Sequence, residues 1–389
     1  MTDGGGGYEC MTTPTGAAVS YLHRMFALDR SKLDVRRACL LLAELLILLV
    51  VTWKLDAGPY FYSLAFGALF VGLIDPGGAF ADRLWKLSAF AVAGAVLTAA
   101  AYVIGGEAWY WLAAAIFVVT LVSSLAVRYG VHRFVATLLL NVWFLIVLSL
   151  PGSFALAGEH SSLWWQAIAW LAGAAFWLAI AFVGWLLHGR TDRPAWISEI
   201  PGGTSRRTLT RPVIAFAVIR AVVMAITVGI AFGLDLPNGI WLPVAALVAM
   251  KPSLEQATLV ASQRVAGALI GALVAAALLV TVDVKVALLV IALAALTTGA
   301  AIRTVNYALY QAALSTGVLI ALELPHFTGL SAEGERVLWT LAGCGVAVLL
   351  MGVSRLLKKG GTGGGSQSAA ASDRSLGAEA GGGTPDAAT

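Results

Sequence analysis

The chain has 389 residues, of which 59% are hydrophobic and only 12% are charged, and its mean hydropathy is +0.86. Soluble domains carry about 25% charged residues, so the composition favours membrane spans over a cytosolic enzyme, a secreted disulfide scaffold or a disordered chain. The formal net charge of +4 would suit a nucleic-acid partner, but the basic residues lie at the ends of apolar runs, as in membrane proteins. We therefore expect no nucleic-acid partner. Three scattered cysteines and the absence of a phosphate loop or hydrolase motif predict no metal, no cofactor and no enzyme activity.

Apolar runs in chain order predict about twelve transmembrane helices, since a bilayer core needs about 20 residues per helix. The first six predicted spans are 37–53, 59–74, 87–104, 109–127, 134–150 and 163–187. The second six are 212–234, 240–250, 265–282, 284–302, 308–322 and 337–357. Residues 1–30 are polar and glycine-rich and predict no cleavable signal peptide.

The basic residues fall unevenly on the two sides of these spans. Of the 25 lysines and arginines, 21 lie on the side of the N-terminus, three (Lys54, Lys285 and Arg336) lie on the other, and Arg220 lies within a span. Because cytoplasmic loops of membrane proteins are enriched in basic residues, both termini are predicted to be cytoplasmic. The predicted location is the bacterial cytoplasmic (inner) membrane.

The two halves of the chain are related by an offset of about 175 residues, which places Arg36 on Arg211, Pro76 on Pro252 and Arg128 on Arg303. Leu-Asp pairs at Asp56 and Asp235 close the first helix of each half. The predicted fold is an all-α integral membrane protein of two parallel six-helix repeats, with a pseudo-two-fold axis along the membrane normal. The predicted domains are a polar cytoplasmic segment (1–35), the first repeat (36–187), a linker (188–210), the second repeat (211–357) and a disordered Gly/Ser/Ala-rich cytoplasmic tail (358–389).

Two charges lie near the middle of predicted spans, Glu44 in the first and Arg220 in the seventh. Their separation of 176 residues gives them equivalent positions in the two repeats. A charge at this depth costs at least about 2.5–3.5 kcal/mol and usually faces a cavity or a partner. The sequence leaves two interpretations open: a structural ion pair between Glu44 and Arg220, or a transport site.

The second and eighth predicted spans are short, and each ends in a charged residue followed by proline: Asp75 before Pro76, and Lys251 before Pro252. The eighth is also interrupted at Pro243, just after Trp241. Short, broken spans at matching positions of two repeats indicate a transport site.

Further candidate pathway residues lie at the predicted cytoplasmic ends, where rings of basic side chains would suit an anion conduit. They are Arg128, Arg264 and Arg303, with the polar residues His132, Tyr307 and Gln311 that follow. The Gly267-x-x-x-Gly271 pattern is interpreted as close helix packing, not chemistry.

Residues 240–271 carry a recognisable pattern: Trp241 at the start of a short helix, then Pro252-Ser253, then Arg264 with Gly267 and Gly271. Together with Arg220 in the preceding helix, this pattern resembles the fusaric acid resistance (FUSC) family, which includes bacterial aromatic acid exporters and is akin to plant aluminium-activated malate channels. The N-terminal half departs from the pattern, because Leu87 stands near the position of Arg264 and Glu44 near that of Arg220.

The resemblance implies a secondary transporter that exports small organic or aromatic carboxylates, coupled to protons. On this hypothesis Glu44 is the proton-linked group, and Arg220 with the arginines at the predicted cytoplasmic ends receives the carboxylate. Two alternatives stay open: an organic-anion channel of the malate type, or a membrane scaffold for cell-envelope proteins. The expected partners are the organic anion, protons and membrane lipid, with a homo-oligomer or an envelope partner protein left open.

Overall fold

A computed structural model describes residues 28, 33–157, 161–187, 190, 208–237, 239–250, 258–303, 305–323, 338–346 and 349. The regular structure of these residues is helical. The helices of the first half are α1 (Val35–Lys54), α2 (Phe61–Ile74), α3 (Phe80–Ile104), α4 (Trp109–Leu125), α5 (Val131–Ala157) and α6 (Leu163–Leu187). Those of the second half are α7 (Arg211–Gly233), α8 (Trp241–Ala249), α9 (Thr258–Thr281), α10 (Lys285–Ile302) and α11 (Tyr307–Glu323).

These helices coincide with the first eleven predicted spans. Most of the twelfth span, most of the linker and the whole of the C-terminal tail lie outside the described residues. Within the described residues, six helical segments are long and apolar enough to cross a membrane, and three shorter ones are apolar. The six are Phe80–Ile104, Trp109–Tyr129, His132–Gly152, Leu163–Leu187, Val213–Gly233 and Lys285–Ile302. The chain is therefore a multi-pass membrane protein, and the regular structure of its described part is helical.

Exposed aromatic side chains cluster at helix ends, where a membrane protein meets the headgroup region. Trp109 and Trp111 begin α4, Trp164 and Trp165 begin α6, and Trp53 ends α1, and all of them are exposed. If consecutive helices alternate in direction, these ends share one face of the protein. The pattern agrees with an aromatic belt at one membrane surface.

The first helices of the two halves pack in a reciprocal manner. Helix α4 packs against α7, and α1 packs against α10. The Asp34 N–H also donates to the carbonyl oxygen of Ala301 at 3.0 Å, which ties the start of α1 to the end of α10. As predicted, Asp56 and Asp235 close α1 and α7, and both adopt the left-handed backbone conformation (φ 52° and 45°).

Glycines allow two helix pairs to approach closely. A Cβ atom at Gly267 or Gly271 of α9 would overlap the carbonyl oxygen of Ala308 or Ala312 of α11, which confirms that this pattern serves packing. In the first half, a Cβ at Gly67 of α2 would overlap a backbone carbonyl of α6.

Gly173 of α6 provides a test of this packing. A Cβ there would overlap the carbonyl oxygen of Leu64, a backbone atom that cannot move alone. We expect Gly173→Ala to destabilise the protein by about 1–3 kcal/mol, measured as a lower midpoint of thermal unfolding in detergent. Gly152, also within a helix, has nothing within 4 Å of its would-be Cβ, so Gly152→Ala should be neutral or slightly stabilising. Equal effects of the two substitutions would contradict the close approach.

A buried tryptophan pair organises the core of the first half. Trp143 of α5 and Trp170 of α6 stack with their ring centroids 4.7 Å apart, and both are fully buried. The indole N–H of Trp170 donates to the Ala91 carbonyl (3.0 Å), and that of Trp143 donates to the Thr98 hydroxyl (2.7 Å). Because each buried N–H has a partner, the pair fixes α3, α5 and α6 against one another.

Candidate anion site and its surroundings

Arg220 lies near the middle of α7 and is 1% exposed. Its guanidinium donates to the Ser124 hydroxyl (3.1 Å) and to the Leu247 carbonyl (3.3 Å), and it lies 5.5 Å from the centroid of the Phe134 ring. Its Nε has no hydrogen-bond partner within the described part of the chain. Arginine has five N–H donors, and its bonds to described residues use two of them.

Small polar residues of α4 and α5 continue from Arg220 into the protein. The hydroxyls of Ser123 and Ser124 both donate to the Thr120 carbonyl, at 3.0 and 2.7 Å. The amide of Asn141 donates to the hydroxyls of Thr120 and Ser123, at 3.0 and 3.1 Å. The Asn141 Oδ1 atom is buried with no hydrogen-bond partner in the described residues. Arg220 therefore lies at one end of a buried polar cluster whose other described members, Thr120, Ser123, Ser124 and Asn141, are neutral.

Glu44 lies at the middle of α1 and is fully buried. Neither of its carboxyl oxygens has a hydrogen-bond partner among the residues that the structure describes. Its helix packs chiefly against α10 and α2.

Glu44 and Arg220 do not form an ion pair, so that alternative does not hold in this structure. The reason is the reciprocal packing, because α1 lies against α10, whereas α7 lies against α4. Equivalent positions in the two halves therefore lie in different helix pairs, and each charge is buried separately.

Asp75, at the end of α2, forms an ion pair with Arg83 of α3. The Arg83 Nε lies 2.9 Å from one carboxyl oxygen of Asp75, and its Nη2 lies 2.5 Å from the other. The Gly77 N–H (3.1 Å) and the Trp177 indole N–H (3.4 Å) also donate to Asp75. Burial raises the pKa of Asp75, but the hydrogen bonds and charge of Arg83 outweigh it and hold this pKa below its ordinary value. Asp75 thus joins α2, α3 and α6.

Two of the candidate residues at the predicted cytoplasmic ends, Arg303 and His132, cap the same end of α2. Arg303 donates to the Leu73 carbonyl (3.2 Å), and His132 Nε2 donates to the Ile74 carbonyl (2.8 Å). The last carbonyls of a helix have no partner within the helix and carry partial negative charge, so basic side chains stabilise them. The structure therefore brings Asp75, His132 and Arg303 together, around a helix end.

The other predicted residues are dispersed. Arg128 is exposed beside the Tyr129 ring, Trp241 is buried in the hydrophobic core, and Tyr307 packs against Tyr310. Gln311 donates to the Ser315 hydroxyl at 3.2 Å. Lys251 and the side chain of Arg264 lie outside the described residues.

A cavity of about 490 Å³ lies between the two halves, lined by α1, α2, α10 and α11 with Phe154 of α5; we call it the seam cavity. Its lining runs over residues 45–56, 58–69 and 285–296, so it extends about 16 Å along these helices at 1.5 Å per residue. The lining is aliphatic and aromatic except for Thr52, the Tyr62 hydroxyl, Asp56 and Lys285. The hydroxyls of Thr52 and Tyr62 already donate to backbone carbonyls.

Residues 216–350 match the family model described as fusaric acid resistance protein-like. The chain contains a fusaric acid resistance protein-like region. The resemblance predicted from Arg220, Trp241 and the Gly267-x-x-x-Gly271 pattern is thereby confirmed. The fusaric acid resistance protein-like region includes Arg220 and begins near the start of α7, whereas Glu44 lies outside it. No curated protein matches the chain, and no solved structure does.

The residues that the sequence analysis did not identify are the surroundings of Arg220: its partner Ser124, the polar residues next to Ser124, Phe134 and the Leu247 carbonyl. Thr120, Ser123 and Ser124 form a small polar run in an otherwise apolar helix, and Thr120 and Ser124 are four residues apart on one helix face. In the sequence, that spacing indicates a polar face on an apolar helix. Phe134 and the Leu247 carbonyl carry no comparable signal, because only the tertiary fold brings them to Arg220.

Proposed function

We propose that this membrane protein is a secondary transporter that exports small organic or aromatic carboxylates, coupled to protons. The observation that carries the proposal is Arg220, a fully buried cation whose described partners are a hydroxyl, a carbonyl and an aromatic ring. A buried charge is costly unless it is paired. A carboxylate is the ligand that would complete this site, because it accepts two N–H bonds from one guanidinium.

The compound named in the family description is a ligand of this kind. The description of the matching family model names fusaric acid. As a compound, fusaric acid is a pyridine carboxylic acid with a butyl chain. Such a molecule joins a carboxylate to an apolar aromatic body, and small-molecule sites usually combine an apolar wall with a few polar groups. We assign the carboxylate to Arg220.

We further propose that the helices form two parallel six-helix repeats that cross the membrane about twelve times, with both termini cytoplasmic. The reciprocal packing of α4 on α7 and of α1 on α10 supports a pseudo-two-fold arrangement. The left-handed aspartates that end α1 and α7 support it independently. In this arrangement Glu44 and Arg220 lie at corresponding depths, and the bacterial cytoplasmic membrane is the setting we propose.

Glu44 is the group that we link to protons. It is buried at mid-helix without a described partner for its carboxyl oxygens. Binding or releasing a proton at Glu44 therefore changes a charge inside the membrane that no described residue neutralises. Such groups mark proton relays in pumps and transporters.

The test is efflux from proteoliposomes loaded with fusarate, at several clamped membrane potentials, with and without a pH gradient. We expect the gradient to drive efflux through the wild type, and we expect Glu44→Gln to abolish this response because the amide cannot bind a proton. Glu107→Gln, which changes an exposed loop residue, is the matched control and should behave as the wild type. If efflux depends on the membrane potential and not on the pH gradient, the protein is an organic-anion channel and not a proton-coupled exporter. Efflux of none of several organic anions would favour a scaffold.

A further inference from the structure

We propose that the seam cavity is a second carboxylate site, on the side of the membrane opposite to the termini, where the exported anion binds before release. The walls would hold its apolar body, and Lys285 would bind its carboxylate at the mouth. The direction of movement rests on the proposed export function, but binding in the cavity does not depend on it.

The dimensions of the cavity support a ligand of this class. Its volume of about 490 Å³ lies within the range of about 300–1,000 Å³ that is usual for small-molecule sites. The aromatic rings of Phe61, Tyr62, Phe66 and Phe154 line it. An aromatic or alkyl body would gain contact with these walls, and a strongly polar ligand would lose its hydration there.

The depth of the cavity places it on the proposed route. From the level of Asp56 and Lys285 it extends about 16 Å inward, about half of a hydrocarbon core of ~30 Å. Its inner end on α1 is Leu45, the residue next to Glu44. The cavity therefore reaches from one end of the helices to the depth of the proton-linked group.

The charges at the mouth fix the position of the carboxylate. Lys285 and Asp56 both line the cavity and are exposed, and neither forms an ion pair with a described residue. Lys285 would attract an anion and Asp56 would repel it. Removing the charge of Lys285 should therefore weaken the binding of an anion, and removing that of Asp56 should strengthen it. A zwitterionic ligand would instead bind more weakly after either change.

The test measures protection of a cysteine inside the cavity. In a chain whose native cysteines are replaced by alanine, Leu289→Cys places a thiol on the lining. A membrane-impermeant thiol reagent is added from the side opposite to the termini, and the modification rate is measured with increasing fusarate. We expect fusarate to protect this thiol. Val284→Cys, exposed and outside the lining, is the matched control and should react without protection.

Charge variants then identify the ligand chemistry. Lys285→Gln should raise the half-protecting fusarate concentration about fivefold, and Asp56→Asn should lower it about twofold, as for a partly exposed charge pair. The amide of fusaric acid should not respond to Lys285→Gln. The proposal is overturned if the thiol does not react from this side, if fusarate gives no protection, or if protection ignores Lys285. It is also overturned if the thiol reacts only after lipid is removed, because a lipid chain then fills the cavity. Protection without any transport would uphold this site and refute the export function.

Discussion

Arg220→Met is expected to reduce carboxylate transport by at least about 30-fold while leaving the protein as stable as the wild type or more so. Truncating one partner of a buried charge pair costs about 2–5 kcal/mol, which is a factor of roughly 30 to several thousand in affinity. Methionine fills a similar volume without a charge, and replacing buried charges with well-packed apolar residues is often neutral or stabilising. The measurements are the kcat/KM of efflux from proteoliposomes and the midpoint of thermal unfolding.

Three further variants separate a ligand role from a structural one. Arg220→Lys keeps the charge but loses the two-pronged geometry, so it should retain part of the activity, with a raised KM. Ser124→Ala removes the hydroxyl that accepts from Arg220 and donates to the Thr120 carbonyl, but it keeps the cation, so its effect on transport should be small. Arg133→Met removes an exposed arginine next to the Tyr129 ring and should leave transport unchanged. If Arg220→Met unfolded the protein and activity followed the folded fraction, Arg220 would be structural.

Asp75→Asn is expected to destabilise the protein by about 3–5 kcal/mol, the largest effect on stability that we anticipate. The substitution leaves Arg83 buried and without its ion-pair partner, and breaking a buried pair from one side costs this much. The neighbouring pair, Asp82 with Lys86, is a matched control because it is exposed and spans one turn of α3. Asp82→Asn should cost no more than about 0.5 kcal/mol. Similar losses for both variants would contradict the structural role of Asp75.

The pH dependence of this effect has a definite sign. The pKa of Asp75 is lower in the folded state than its ordinary value of 3.8. Its stabilising contribution is therefore complete above that value and is lost as the pH falls through the folded-state pKa. We expect the gap in unfolding midpoint between wild type and Asp75→Asn to be constant from about pH 8 to pH 5 and to narrow below about pH 4. A gap that narrowed at neutral pH would contradict this assignment.

The helices were predictable from sequence because each contains an apolar run and several end at a recognisable turn signal. Asp75-Pro76-Gly77-Gly78 illustrates this: proline cannot continue α2, and Gly77 and Gly78 adopt positive φ angles of 68° and 83° that favour glycine. Glu44 and Arg220 were also identifiable, since a charge within an apolar run is costly.

What sequence could not give was the partner of each charge. Asp75 and Arg303 were expected to line a transport path, yet Asp75 pairs with Arg83 and Arg303 donates to the end of α2. Arg83 is one turn into α3 and resembles an ordinary cytoplasmic anchor in sequence. The seam cavity was equally hidden in the sequence. Its walls come from two pairs of helices, α1 with α2 and α10 with α11, which are more than 200 residues apart along the chain.

The short helix α8 has a consequence for how the protein responds to the thickness of its bilayer. It has nine residues, about 13.5 Å, and Trp241, Leu242, Ala246 and Leu247 are all buried. Helices α3 and α6 have 25 residues each, about 37 Å, and Val92, Val96 and Val103 of α3 are exposed. Hydrophobic mismatch therefore acts on the long outer helices, which tilt to match lipids of different chain length. The short helix α8 beside Arg220 is buried and does not contact lipid in this way. Lipid acyl-chain length should therefore alter the tilt of α3 and α6 more than the geometry around Arg220.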